Sequence, residues 1–95
     1  MTLTGAHLIH AHLAHADLAG ANLGGADLAG AHLEGANLTR AWLVTDLRKV
    51  HLEGADLRGA RWDDDFTDTT GARYNTHTRW PADFDPQLHG AIRVR

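Results

Sequence analysis

The chain has 95 residues, 43 % hydrophobic and 6 % aromatic, with nine Lys and Arg against twelve Asp and Glu and no Cys. That length suits one small domain, and a net charge of −3 lacks the clustered cations that displace counterions from a phosphate backbone, so direct nucleic-acid binding is not expected. The missing Cys excludes a disulfide frame, a thiol nucleophile and a zinc knuckle. Apolar runs are too short to span a membrane, and the start lacks the basic and apolar regions of a secretory signal, so a soluble cytoplasmic protein is expected.

From the N-terminus the dominant signal is a period of five. Leu3, Leu8, Leu13, Leu18, Leu23, Leu28, Leu33, Leu38 and Leu43 follow at equal steps, and from Leu8 onward Ala stands two residues before each. Between that Ala and Leu sits His, Asp or Asn until Trp42, and Gly recurs just before the Ala. The register slips once, at Leu47, then resumes through Leu52 and Leu57 to Trp62, with Val50, Ala55 and Ala60 in the small slot. Phe66 is a further, imperfect member. In a helix, steps of five would wrap the leucines around the whole cylinder. In one long strand they would alternate between faces. A short fixed repeat instead specifies a solenoid, in which each unit buries its apolar group against stacked neighbours.

The segments Ala-Asp-Leu-Ala-Gly (26–30), Ala-Asn-Leu-Thr-Arg (36–40) and Ala-Asp-Leu-Arg-Gly (55–59) resemble the pentapeptide-repeat family over roughly residues 3–66. The resemblance implies an all-β fold: a right-handed quadrilateral parallel β-helix with one pentapeptide per side and a little over three coils. Leu and the Ala two before it would point inward. The expected core is therefore Leu8, Leu13, Leu18, Leu23, Leu28, Leu33, Leu38, Leu43, Leu47, Leu52, Leu57 and Trp62.

Residues 1–66 are expected to form this β-helix and residues 67–95 a capping tail. Ala72-Arg-Tyr-Asn, Thr78-Arg-Trp-Pro81, Phe84-Asp-Pro86 and Gly90-Ala91 are similar to a C-terminal tail on other members of the family. The tail is turn-rich and places Tyr74, Trp80, Phe84 and Leu88 just past the last coil, as an end cap requires; an aromatic ligand site is the alternative.

Twenty residues per coil and one slip arrange the residues before each Leu into outer columns: His7, Asp27 and Asp46; His12, His32 and His51; Asp17, Asn37 and Asp56; Asn22, Trp42 and Arg61. The all-histidine column is a weak metal candidate, because ladder side chains run parallel rather than converging. Glu34 and Glu53 follow nearby, yet neither is expected to orient the rings, and solvated histidines are the plainer reading. His7, His10, His12 and His15 crowd the first coil. Asp63, Asp64, Asp65 and Asp68 lack the order of a calcium loop and suit Asx turns. No cofactor is expected. No Ser-based nucleophile motif, phosphate loop or two-His metal motif is present, so an enzyme is not expected.

The leading functional expectation is a non-catalytic protein-interaction scaffold whose partner is unnamed. The alternative, implied by the family resemblance, is a DNA mimic that binds a type II topoisomerase such as gyrase and protects or inhibits it. The short stack, the modest charge and Arg40, Arg48, Lys49, Arg58 and Arg61 weigh against that. A third is a metal-binding or pH-sensing histidine surface. Residues 1–3 are too few to cover the first coil, so a homodimer joined end to end through Leu3, Leu8, Leu13 and Leu18 is expected. His7, His10, His12 and His15 would ring the junction, and protonating them would bring like charges together and loosen it.

Overall fold

The computed structural model describes residues 2–63, 67–82 and 84–94. The chain winds into a parallel solenoid measuring 30 × 26 × 21 Å. Four ladders of single parallel bridges run along it: Thr2–Asn22–Trp42–Arg61, His7–Asp27–Asp46–Asp68, His12–His32–His51–Arg73 and Asp17–Asn37–Asp56–Arg79. The first rungs are twenty residues apart and those from Asp27–Asp46 to Trp42–Arg61 nineteen, so the slip at Leu47 removes one residue from a corner and leaves every column intact; the last rungs, Asp46–Asp68, His51–Arg73 and Asp56–Arg79, span 22, 22 and 23 residues.

Among the described residues the Leu corners turn in the same way, apart from the shortened one after Leu43. Ala36 N–H donates to Leu33 C=O (3.0 Å) across Glu34 and Gly35, and Gly35 has φ +68°. Positive φ at the third residue marks a type II turn, which is why Gly recurs there. His10, His15, Arg40 and Lys49 occupy the same left-handed position without being Gly. Each then has Gly at the matching corner of the next coil, and the His10 and His15 rings lie so close over Gly30 and Gly35 that a Cβ there would sit 2.5 Å away.

Between coils the backbone is fully paired at each middle rung. Leu33 N–H donates to His51 C=O (2.9 Å) and His51 N–H to Ala31 C=O (2.9 Å). Leu, flanked by these bonds, points inward, and Leu18, Leu23, Leu28, Leu33, Leu38, Leu43, Leu47, Leu52 and Leu57 are buried with their small partners Ala21 to Ala55. Leu3, Leu8 and Leu13 are only half-buried. Their column has a neighbour on one side alone, so Leu8 and Leu13 line the rim of the core rather than its centre.

The ladders continue past residue 66, the end expected of the repeats. Asp68, Arg73 and Arg79 take rungs above Asp46, His51 and Asp56, and Thr69, Tyr74 and Trp80 take the places that Leu holds below. Above them β1 (Arg73–Tyr74) pairs in parallel with β2 (Ile92–Arg93). Buried Thr hydroxyls satisfy carbonyls where spacing is irregular: Thr45 donates to Ala26 C=O, and Thr67 Oγ1 donates to Leu43 C=O (2.7 Å).

At this end Trp62, Tyr74, Trp80 and Phe84 interlock. Trp80 meets Tyr74 edge-on at 5.5 Å and Trp62 at 6.3 Å, and Phe84 lies 4.7 Å from Trp62. Trp62 is half-buried as part of this cluster, not of the closed core. Leu88, expected in the cap, does not join it: it sits on the 3-10 helix Gln87–His89 and is 81 % exposed. His89 takes its place, its ring stacked 4.6 Å from Phe84. Phe66, Asp64 and Asp65 lie outside the described residues.

Candidate functional site

The outward residues divide by what the backbone asks of them. Asp and Asn before Leu turn back onto the corner: Asp17 Oδ1 accepts from Ala19 N–H, Asp27 from Ala29, Asn37 from Thr39, Asp46 from Arg48, Asp56 from Arg58 and Asp68 from Thr70, at 2.9–3.2 Å. These are Asx turns, formed because a short side-chain oxygen reaches the amide two residues on. For Asp68, the use expected from the sequence is the one observed. An imidazole cannot make this bond in the same way, and among the described residues His12, His32 and His51 do not. Their side chains stand free of the turn.

They stack instead. The His12 and His32 rings are 5.1 Å apart and 8° from parallel, and the His32 and His51 rings 4.4 Å apart and 5° from parallel. The expectation that no carboxylate would engage them is corrected here. Glu34, the first corner residue after Leu33, turns back so that Oε2 lies 3.3 Å from His32 Nδ1. Glu53 repeats the arrangement one coil on, with Oε1 4.0 Å from His51 Nδ1 and Oε2 4.0 Å from Arg73 Nε. Burial opposes ionisation of Glu34, yet its own backbone amide, the His32 hydrogen bond and the charges of His32 and His51 outweigh it and hold its carboxyl below the ordinary range. The pairing was legible in principle, since both motifs read His-Leu-Glu-Gly (32–35 and 51–54).

On the neighbouring sides the acids are already closed. Arg48 chelates Asp46 (Nη2–Oδ2 2.7 Å) and Arg58 chelates Asp56 (2.6 Å). The hydrogen bond from each Arg is the main reason that Asp46 and Asp56 lie below the usual carboxylate range. Arg61 stacks over Trp42 at 5.0 Å. In the first coil, His7, His10, His12 and His15 are all exposed, as are Ile9 and the corner that carries it.

A parallel solenoid with inward Leu, four outward ladders and Gly-rich corners defines a class of repeat protein, and the comparisons name it. The family model described as pentapeptide repeats matches residues 2–40 in eight copies. The structure of alr5209, a pentapeptide repeat protein from Nostoc PCC 7120, is similar with a TM-score of 0.73 and 30 % identity, over 98 % of this chain and 80 % of that one. HetL, a pentapeptide repeat protein involved in heterocyst differentiation regulation in Nostoc sp. strain PCC 7120, is similar with a TM-score of 0.53 and 25 % identity, over 96 % of this chain and 56 % of HetL. No curated protein matches the chain. The chain belongs to the pentapeptide-repeat family.

Proposed function

We propose that the protein is a non-catalytic interaction scaffold, its far end closed by the aromatic tail, and that its first coil pairs with a second copy of itself. The observation that carries this is the edge of the first coil, whose outward backbone groups at His7, His12 and Asp17 have no backbone partner among the described residues. In each ladder the residue before Leu sends both its N–H and its C=O toward the preceding coil: Asp27 N–H donates to Ala6 C=O, and Asp27 C=O accepts from Leu8 N–H. For His7, His12 and Asp17 no described residue lies on that side, so each offers a donor and an acceptor together. Two such residues facing each other across a two-fold axis form the reciprocal, doubly bonded pair of an antiparallel ladder. Half-buried Leu3, Leu8 and Leu13 supply the apolar contact beneath.

The topoisomerase-mimic reading is less well supported. The bidentate arginines on Asp46 and Asp56 neutralise the two sides that would carry an acidic stripe. The partner met by the outward ladders is a macromolecule, and HetL's role in a regulatory process accords with a binding rather than a catalytic use of this architecture. Sedimentation velocity at about pH 8, above the ordinary imidazole range, tests the pairing. A dimer that Ile9→Asp converts to monomer supports it; a wild-type monomer at tens of micromolar overturns it.

A further inference from the structure

We infer that His32, Glu34 and His51 form a binding site for a divalent transition-metal ion of the zinc class. One ligand atom from each lies within 4.8 Å of the other two. His32 Nδ1 and Glu34 Oε2 are already 3.3 Å apart, the separation of two ligands about 2.0–2.1 Å from a tetrahedral ion. His51 must close by up to roughly 1.5 Å, through a tilt of its ring out of the parallel stack, to complete a three-ligand set with an open position for water.

Two further observations favour an ion here over a solvated face. Glu34 Oε1 is shielded from solvent and has no hydrogen-bond partner among the described residues, so the carboxylate holds an unspent acceptor beside two imidazoles. The His side chains are not used by the turn, whereas the Asp and Asn in equivalent places are. Two nitrogens and one carboxylate suit Zn²⁺, Co²⁺, Ni²⁺ or Cu²⁺ and not Ca²⁺ or Mg²⁺, which take oxygen ligands. Glu53, 4.0 Å from His51 Nδ1, is placed to hold that ring once it turns. Because His32 and Glu34 belong to one coil and His51 to the next, the ion would pin two coils together.

The test is calorimetric titration of the whole chain with ZnCl₂ at about pH 7.5, above the ordinary imidazole range, backed by the visible spectrum of the Co²⁺ form and by melting temperature. One ion per chain is expected, with a tetrahedral Co²⁺ band and a raised melting temperature. Glu34→Gln and His51→Asn should each weaken binding at least about tenfold, the least that even outer partners of a metal site contribute. His51→Asn restores a residue that this position accepts elsewhere in the chain, and circular dichroism confirms that both variants fold. A variant carrying His7→Gln, His10→Gln and His15→Gln should bind as the wild type does. Absence of binding, or binding lost in that triple variant and kept in Glu34→Gln and His51→Asn, overturns the site.

Discussion

Leu33→Ala removes side-chain volume where the stack can least refill it. Leu33 is fully buried, with Leu13 below and Leu52 above in its column, and its own amide and those of its neighbours are fixed by the inter-coil bonds. Transfer of the lost carbons alone costs about 2.4 kcal/mol at about 0.8 kcal/mol each. The rungs above and below are held at their spacing by the backbone, so the cavity stays largely open and the total should reach about 3–5 kcal/mol. In the monomer, at protein concentrations below those that support pairing, Leu13→Ala deletes the same atoms from a half-exposed rim, where water and the coil edge refill the space, and about 1–2 kcal/mol is expected. His32→Ala, pointing outward from the same rung, should change stability by no more than about 0.5 kcal/mol. Equilibrium urea unfolding with unchanged slope measures all three, a change of slope signalling that the end coil opens separately. Equal losses at Leu33 and Leu13, or a His32 loss rivalling either, would refute the assignment of inside and rim.

Thr45→Val keeps shape but removes the donor to Ala26 C=O, leaving only a 3.4 Å bond from Asp46 N–H, so about 1–3 kcal/mol should be lost on the same urea axis. Asp46, Asp56 and Glu34 are held below their ordinary values, so their contribution is complete above the unfolded-chain values of about 3.9–4.3 and fades as pH falls through the lower folded ones. Thermal melts should therefore decline below about pH 4, and Asp56→Asn, which keeps the turn, should flatten that decline slightly. In a gyrase supercoiling assay, with and without a quinolone, an excess of the protein should leave both curves unchanged; inhibition or protection would restore the mimic reading.

The inner and outer columns were legible because a five-residue period has one packing solution, and the slip at Leu47 could be counted through to Arg61. The rest was hidden for particular reasons. Thr69, Tyr74 and Trp80 continue the Leu columns after insertions that break the count, so spacing alone ends the repeats too early. Leu88 reads as core by composition, but the short 3-10 turn that carries it faces solvent while His89 stacks on Phe84. Glu34 occupies an ordinary corner position, and its side chain turns back to the residue two before it as those of Thr39 and Arg58 do; what sets it apart is that the residue it meets is an imidazole in a column of three.

The pairing of first coils is tested most directly by amide hydrogen exchange of His7, His12 and Asp17, followed by NMR at high and low protein concentration. Pairing predicts slow exchange at high concentration, comparable to the amides of Asp27 and Asn37 that bond between coils, and its loss on dilution. Exchange at free-chain rates at every concentration, with Asp27 and Asn37 still protected, would contradict it.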